Sequence, residues 1–359
     1  MRSQPLTAHD LESVVREIAP TDNDAAARAE ARHASLTKPP GSLGRLEDLG
    51  VRLASISGRE RPVIRPRSLI LAAADHGVAA EGVSAYPSEV TAQMVANFAA
   101  GGAAANVLSR LADVRVVVLD VGVAADVDPA PNLVERKIRR GTASIAEGPA
   151  MTDSEALAAI WAGLETAESE VNAGARLLVT GDMGIGNSTS AAAVTAALLG
   201  LPAKDVTGRG TGLDDQGLAR KVAVVERAVR RHGQVNADPV QVLAGLGGLE
   251  MAALVGVILG GARRKVPAVL DGFVSGVAAL VAARIAPLAM EYVVAGHYSV
   301  EPGHRKILEV LELRPLLDLE MRLGEGSGAL VALPLLDAAV AVLNEMATFS
   351  QAGVSERVD

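Results

Sequence analysis

The chain has 359 residues, a length at which one large domain accompanied by a smaller one is the usual arrangement. Hydrophobic residues make up 49% of it and charged residues 21%, which excludes a disordered chain and provides for a sizeable core. The net charge of −8 and the aromatic share of 2% argue against nucleic acid as a partner. The absence of cysteine excludes disulfides, thiolate metal sites and a cysteine nucleophile.

The first part of the chain is polar and helical. Residues 8–18 and 43–56 carry apolar side chains at helical spacing, and the Pro- and Gly-containing stretch 37–42 separates them. No apolar run follows a basic region at the start, so we expect no secretory signal. The most apolar stretches, 251–261 and 274–283, are too short to span a bilayer. We therefore expect a soluble cytoplasmic protein with no membrane partner.

From residue 67 short apolar runs alternate with helical stretches, and this pattern predicts an α/β fold. Near-continuous apolar strands separated by helices are typical of a buried parallel sheet with helices on both faces. The predicted strands cover residues 68–74, 114–121, 175–180, 267–270 and 292–295. The predicted helices cover residues 91–112, 153–173, 187–199, 215–232 and 242–260.

The end of the chain is helical again, with helices predicted over 301–313 and 333–348. We expect both helical ends of the chain, residues 1–60 and 305–359, to pack together as a smaller all-helical domain. Residues 61–304 are then the large α/β domain.

Polar residues follow several predicted strands at the point where each strand ends. In open α/β sheets the ligand lies beyond the carboxyl ends of the strands, so these residues are expected to face one cleft. They are Asp75, His76, Asp182, Asp271 and His297. His76, His297 and His304, with Asp75 and Asp271, are the candidates for a mononuclear metal site. Their spacing matches no metal-ligand pattern, and strand-end histidines are more often hydrogen-bonded structure, so we predict no metal and no cofactor.

The glycine-rich turn at 181–190 follows a strand and opens a helix. Backbone N–H groups at such a helix N-terminus form an anion site, which favours phosphate binding over an ordinary turn. Asn187, Ser188 or Thr189 is expected to cap the helix and donate to the phosphate. The turn is neither a dinucleotide fingerprint nor a Walker A loop.

A second glycine-rich stretch, 207–215, is followed by a helix that carries Lys221. Arg209 or Lys221 is a candidate for the fixed positive charge that a phosphate needs. The Asp214-Asp215 pair stands before this helix and is expected to cap it.

The segment 75–98 mixes hydroxyls, an amide, methionine and two of the few aromatic residues. Such a set suits a flat apolar ligand with a polar edge. For Met94 and Phe98, a place in the hydrophobic core explains the residue type equally well.

A single acid, Glu325, stands between two glycines in the stretch 322–329. Glycines let the backbone come close to a bound ligand. A carboxylate held near apolar neighbours has a raised pKa and is suited to act as a general base. A solvated loop glutamate is the alternative.

Taken together, five motifs give the chain a family resemblance. They are Lys38–Gly44, Asp75–Val78 continued by Glu81–Ser84 and Tyr86-Pro87, Gly181–Asn187, Gly208–Gly212 and Arg322–Ala329. In this order and spacing the chain resembles the nicotinate-nucleotide–dimethylbenzimidazole phosphoribosyltransferases of cobalamin biosynthesis. The resemblance spans roughly residues 35 to 353, nearly the whole chain.

The resemblance implies a Rossmann-like large domain, a small helical domain built from both chain ends, and a homodimer. It also implies a reaction in which the phosphoribosyl group of nicotinate mononucleotide passes to 5,6-dimethylbenzimidazole. The implied products are α-ribazole 5′-phosphate and nicotinate, with inversion at C1′.

The resemblance further implies roles for individual residues. Glu325 matches the general base of the family. The pocket for the aromatic base matches Ser84, Tyr86, Gln93, Met94 and Leu323. The phosphate site matches Asp182, Met183, Gly184, Gly186, Asn187 and Ser188, with Lys221 as the cation and Arg209 as the alternative.

Two other functions stay open at this point. One is phosphoribosyl transfer to a different base, such as adenine or a phenol. The other is a non-catalytic nucleotide-binding protein on the same fold, against which the intact Glu325 motif argues.

Overall fold

A computed structural model describes residues 7–233 and 238–355 of the chain. Its strands are β1 (Arg67–Ala74), β2 (Arg115–Gly122), β3 (Leu133–Glu135), β4 (Leu177–Met183), β5 (Ala268–Leu270), β6 (Val293–Ala295), β7 (His297–Tyr298) and β8 (Leu317–Asp318). Within the described residues six strands form a parallel sheet in the order β3-β2-β1-β4-β5-β6, and β7 pairs with β8. This is the strand order of doubly wound dinucleotide-binding folds, so the predicted Rossmann-like parallel sheet is confirmed.

Helices connect the strands and cover both faces of the sheet. They are α1 (Ala8–Glu17), α2 (Asn23–Ser35), α3 (Arg45–Ser57), α4 (Glu89–Ala100), α5 (Ala104–Ala112), α6 (Asp153–Asn172), α7 (Asn187–Leu199), α8 (Ala203–Val206), α9 (Asp215–His232), α10 (Pro239–Leu246), α11 (Leu249–Arg263), α12 (Phe273–Ile285), α13 (Pro302–Val310), α14 (Ser327–Glu345) and α15 (Phe349–Ala352). Short 3₁₀ helices cover Gly77–Glu81 and Pro287–Tyr292.

Three predicted helices have different bounds in the structure, and glycine explains the first two differences. The single helix predicted over 91–112 is wrong: α4 ends at Gly101, whose φ of 83° is left-handed, and α5 begins afterwards. The helix predicted over 242–260 is likewise two helices, separated by Gly247 and Gly248. The final long helix begins at Ser327 rather than at 333, directly behind Glu325 and Gly326.

The alternation of side chains along β1 divides the core into two layers. Ile70, Ala72 and Ala74 belong to the cluster that includes residues of α6, α11 and α12. Leu69 and Leu71 belong to the cluster that includes residues of α3, α4, α5 and α14. Every residue of β1 is buried, as expected of a central parallel strand that is covered on both faces.

The helices α6 and α11 pack together with their backbones in close approach. A Cβ atom placed on Gly256 would overlap the carbonyl oxygen of Ile160, and one placed on Gly163 would overlap the carbonyl oxygen of Ala253. The two glycines therefore set the distance between these helices, on which one layer of the core rests.

The two ends of the chain contact each other. Arg32 of α2 donates to the carbonyl oxygen of Met346 at 3.1 Å, and Leu36 forms a β-bridge with Thr348. Helices α3 and α14 also contribute to the core beneath the sheet. The division into a domain of residues 1–60 with 305–359 and a domain of residues 61–304 stays a prediction.

In the described part of the chain, α14 is long and apolar enough to cross a membrane by length and composition. Half of its most apolar window is buried inside the structure. Because its residues Ala329, Leu330 and Leu333 pack in the core beneath the sheet, α14 has the surroundings of a core helix.

Candidate active site

The carboxyl ends of β1 and β4 form the point at which the strand order of the sheet reverses. A cleft of about 560 Å³ opens there. Ligands of open α/β sheets bind at such a point. The cleft is lined by Tyr86, Asp182, Asn187, Ser188, Gly210, Thr211, Gly272, Phe273, Val274, His297, Ser299, Glu301, Glu320, Arg322, Leu323 and Gly324.

The glycine-rich turn after β4 forms one wall of this cleft. Gly186 precedes α7 with a left-handed φ of 96°, and Asn187 and Ser188 are the first two residues of the helix. Because both of these residues line the cleft, the N-terminus of α7 opens into it and offers an anion site. The predicted side-chain cap is wrong: Gly186 is the N-cap, and Asn187 Nδ2 donates instead to Asp182 Oδ2 at 3.0 Å.

Within that turn, Gly184 allows a close approach to the neighbouring strand. A Cβ atom on Gly184 would overlap the carbonyl oxygen of Ala74 at the end of β1. Only glycine fits there, so the turn lies directly against the end of β1. Met183, the last residue of β4, packs against the core on the α14 side.

Of the two candidate cations, Lys221 lies beside the turn. Its side chain is fully buried, and Nζ donates to Ser188 Oγ at 2.9 Å. Burial lowers the pKa of Lys221, and Glu301 acts in the opposite direction. Arg209 is exposed, pairs with Asp215 Oδ1 at 2.5 Å and is not among the residues that line the cleft. The predicted cap of α9 is confirmed, since Asp214 Oδ1 accepts from the N–H of Gly217.

Glu325 lies in the loop between the cleft-lining residues Leu323 and Gly324 and the start of α14. It is not among the residues that line the cleft, and 5% of it is exposed. Its backbone N–H donates to the carbonyl oxygen of Asp182 at 3.2 Å, which joins the loop to the end of β4.

The carboxylate of Glu325 has the environment of a base. Burial raises its pKa, the N–H of Ala105 opposes that shift by donating to the carboxylate, and Asp271 adds to it. Within the described residues its Oε2 has no hydrogen-bond partner. One oxygen is therefore free to accept a proton.

Asp182 is a second buried acid beside the cleft. Burial raises its pKa well above the usual range, and Asp271, Glu250 and Glu325 add to the shift, while Asn187 opposes it. The raised pKa follows from several carboxyls that share one region of low solvent access.

The candidates for the aromatic-base pocket lie at different distances from the cleft. Tyr86 and Leu323 line it, each with 56% of its surface exposed. Ser84 Oγ lies 3.2 Å from Oγ1 of the lining residue Thr211. Gln93 and Met94 lie on α4, outside the lining set, and Met94 packs against the core.

The expectation that all five strand-end polar residues face the cleft is only partly right. Asp182 and His297 line it, whereas Asp75, His76 and Asp271 lie buried behind it.

His76 joins two elements behind the glycine turn. Its Nε2 lies 2.8 Å from Glu250 Oε1, and its Nδ1 lies 3.1 Å from Ser190 Oγ. It therefore connects α11 to the first turn of α7.

Two residues that line the cleft, Glu301 and Arg322, are not among the predicted site residues. Glu301 Oε1 accepts from the N–H of Gly210 at 2.9 Å, and Arg322 donates to the carbonyl oxygen of Gly210 at 2.8 Å. Both brace the second glycine-rich loop at the cleft. Arg322 stands at the head of the Glu325 motif and could have been found from that signal, while Glu301 follows a two-residue strand that no pattern predicts.

A larger cavity of about 640 Å³ lies elsewhere, between α2 and α3. Glu291 lines it and precedes β6, which places the cavity toward the amino end of that strand. It contains none of the predicted site residues, so the cleft at the carboxyl ends is the candidate active site.

The fold and the candidate site are those of an α/β enzyme. Its sheet is doubly wound and parallel, and the site at the reversal point has a glycine-rich turn, a buried lysine and a buried carboxylate. Comparison with known proteins narrows this class. The family model described as Phosphoribosyltransferase matches residues 18–354. The chain belongs to the nicotinate-nucleotide–dimethylbenzimidazole phosphoribosyltransferase family.

Similar proteins share most of their length with this chain. The nicotinate-nucleotide–dimethylbenzimidazole phosphoribosyltransferase of Chloroflexus aurantiacus is 54% identical over 97% of this chain and 99% of its own. That of Thermus thermophilus is 53% identical over 93% of this chain and 99% of its own. A crystal structure of CobT from Thermus thermophilus is 52% identical, covers 93% of this chain and all of its own, and superimposes with a TM-score of 0.90.

Proposed function

We propose that this chain transfers the phosphoribosyl group of nicotinate mononucleotide to 5,6-dimethylbenzimidazole. The products are α-ribazole 5′-phosphate and nicotinate, with inversion at C1′. Relatives that carry the name of this activity are about half identical over nearly the whole chain.

The phosphate of nicotinate mononucleotide binds at the N-terminus of α7. Asn187 and Ser188 line the cleft there, and Lys221 supplies a buried positive charge next to Ser188. Asp182, Met183, Gly184 and Gly186 form the turn beneath it. Arg209, engaged with Asp215, contributes to the surface of the second glycine-rich loop.

The chemistry at C1′ needs one proton acceptor. A ring nitrogen of the acceptor attacks C1′. The bond from C1′ to the nicotinate nitrogen breaks, and the electron pair of that bond stays on the pyridine nitrogen. The acceptor loses its N–H proton to Glu325. Since nicotinate leaves as a neutral pyridine nitrogen and no pyrophosphate departs, the reaction requires neither a general acid nor a metal or other cofactor.

The aromatic acceptor lies against the Glu325 loop in this proposal. Ser84, Tyr86 and Leu323 lie at or next to the cleft, and Gln93 and Met94 follow on α4. The single observation that carries the proposal is the Glu325 carboxylate, buried, with one unpartnered oxygen, in a loop bonded to Asp182 of the phosphate turn.

The test is a chromatographic assay for α-ribazole 5′-phosphate from nicotinate mononucleotide and dimethylbenzimidazole. Glu325→Gln should lower kcat about 100-fold or more, while nicotinate mononucleotide still binds. Glu345→Gln, at the exposed far end of α14, is the matched control and should keep full turnover. Unchanged turnover of Glu325→Gln would remove Glu325 from the role of base.

Competition among bases tests the choice of acceptor. We expect dimethylbenzimidazole to be preferred over adenine and a phenol in a mixture with one limiting pool of nicotinate mononucleotide. Preferred consumption of another base would redirect the assignment, and phosphate affinity with no nicotinate release would indicate a non-catalytic binding protein.

We further propose that the chain works in the cytoplasm as a homodimer, without a nucleic-acid or membrane partner. The family resemblance supports the dimer, and the acidic net charge of −8 disfavours nucleic acid. Light scattering coupled to size-exclusion chromatography tests the dimer, and a monomer mass would contradict it.

A further inference from the structure

Asp271 follows β5 and caps a helix that lies far from it in the sequence. Its Oδ2 accepts from the N–H of Gly326 at 3.0 Å, and its Oδ1 accepts from the N–H groups of Gly328 at 2.7 Å and Ala329 at 3.2 Å. These are N–H groups at the start of α14, whose own N-cap, Gly326, has no side chain with which to satisfy them. Asp271 therefore supplies the negative charge that a helix N-terminus favours.

The same contacts fix the backbone that carries Glu325. Glu325 has a φ of 62°, a left-handed conformation that is uncommon for a residue with a side chain. Such a conformation persists only where the surrounding structure over-determines it. The Glu325 N–H is bonded to the carbonyl oxygen of Asp182, and the N–H of the next residue, Gly326, is bonded to Asp271. The peptide units on both sides of Glu325 are thus each held by a hydrogen bond to a different strand end.

We propose that Asp271 is the positioning residue for the general base: its carboxylate holds the Glu325 loop in the left-handed turn that aims Glu325 at the acceptor. The inference rests on the proposed function of Glu325. Asp271 acts through Glu325 and contacts no substrate, since it lies behind the residues that line the cleft.

Electrostatics couple the two carboxylates as well. Burial is the largest cause of the raised pKa of Glu325. The N–H of Ala105 lowers this pKa, and the carboxylate of Asp271 raises it further. His297, whose Nε2 lies 3.6 Å from Asp271 Oδ1, lowers the pKa of Asp271 against the effect of burial. Asp271, Glu250 and Glu325 in turn raise the pKa of Asp182. Removal of the Asp271 charge should consequently make Glu325 easier to deprotonate, besides loosening its loop.

The experiment compares Asp271→Asn, Glu325→Gln and the double variant, each with kcat, KM and a pH profile. Asp271→Asn should lower kcat roughly 10- to 100-fold, with KM for nicotinate mononucleotide within about threefold of the parent. The acidic limb of the kcat–pH profile of Asp271→Asn should move to lower pH than in the parent. The double variant should be no slower than Glu325→Gln alone within about threefold, because Asp271 acts through the base.

Different outcomes separate the two proposals. Normal turnover of Glu325→Gln removes the base and this inference with it. A slow Glu325→Gln enzyme beside a fully active Asp271→Asn enzyme, or losses that add in the double variant, overturns the inference alone. Should Asp271→Asn not fold, Asp271→Ser is the second variant: it is smaller, keeps one acceptor, and must show the same loss of kcat and the same non-additivity.

Discussion

The buried ammonium of Lys221 donates to Ser188 Oγ at 2.9 Å, at the second residue of α7. A fully buried lysine loses its hydration, so fixed polar partners must compensate for that loss. The nearby acid Glu301 favours the charged form of Lys221. A bound phosphate would add the second negative charge that this site is suited to hold.

Lys221→Met should therefore weaken the binding of nicotinate mononucleotide. Loss of a charge-assisted contact of about 1.5–3 kcal/mol corresponds to an increase in KM of roughly 10- to 100-fold. Lys204→Met, an exposed lysine just before the second glycine-rich loop, is the control and should leave KM unchanged. Steady-state kinetics with varied nicotinate mononucleotide measures both, and an unaltered KM for Lys221→Met would assign the phosphate elsewhere.

The pH profile of kcat should carry an acidic limb set by Glu325. A general base works only when deprotonated, so activity falls as the pH drops through its pKa, which burial raises above the ordinary 4.5. Asp182 and Asp271 are the acids beside it, and burial raises the pKa of each of them. Rates measured in stopped assays over a range of pH should show this acidic limb both in the parent enzyme and in the Asp182→Asn variant. Disappearance of the limb in Asp182→Asn would assign it to that acid instead.

Gly256→Ala should destabilise the fold strongly. The added methyl group would overlap the carbonyl oxygen of Ile160, a backbone atom that cannot move aside without separating α6 from α11. Overpacking of this kind costs about 3 kcal/mol or more. Gly148→Ala, where a Cβ atom meets nothing within 4 Å, is the control and should unfold like the parent. Urea unfolding measures both, and equal midpoints for the two variants would refute the close helix contact.

Lys38 of the first motif has a structural role in this fold. Its Nζ lies 2.7 Å from Glu47 Oε2, with 6% and 12% of the two side chains exposed. Burial acts to raise the pKa of Glu47, but Lys38 and the N–H of Leu43 outweigh it, so the pKa is lowered overall.

The stabilisation from this ion pair should depend on pH. A carboxyl whose folded pKa is lowered stabilises the fold above its unfolded pKa of 4.5, and the effect disappears as the pH falls through the lower folded value. Lys38→Met should cost about 3 kcal/mol near neutral pH, and the deficit should shrink in acid. Urea unfolding at neutral and acidic pH measures it, with Lys306→Met, which removes a pair with Glu309 at the surface, as control. A deficit that is the same at both pH values would exclude the pair as its source.

Much of the fold is readable from the sequence because its signals are local. The apolar runs around Ile70, Val118 and Val179 predict central strands, since a parallel sheet buries both faces of each strand. The glycine turn before α7 and the motif around Glu325 are likewise continuous in the sequence. The helix breaks at Gly101 and Gly247 escape the pattern because isolated glycines are also tolerated inside helices.

Neighbouring residues in the chain are enough to predict the parallel sheet, the glycine-rich turn at its carboxyl edge and the candidacy of Glu325, because each of these features depends on a local pattern. Three other features are visible only in the folded chain: Lys221 is buried beside Ser188, Arg209 pairs with Asp215, and Asp271 caps the helix that follows Glu325. Desolvation and hydrogen bonds between distant residues depend on which segments of the chain come into contact, and no local pattern encodes those contacts.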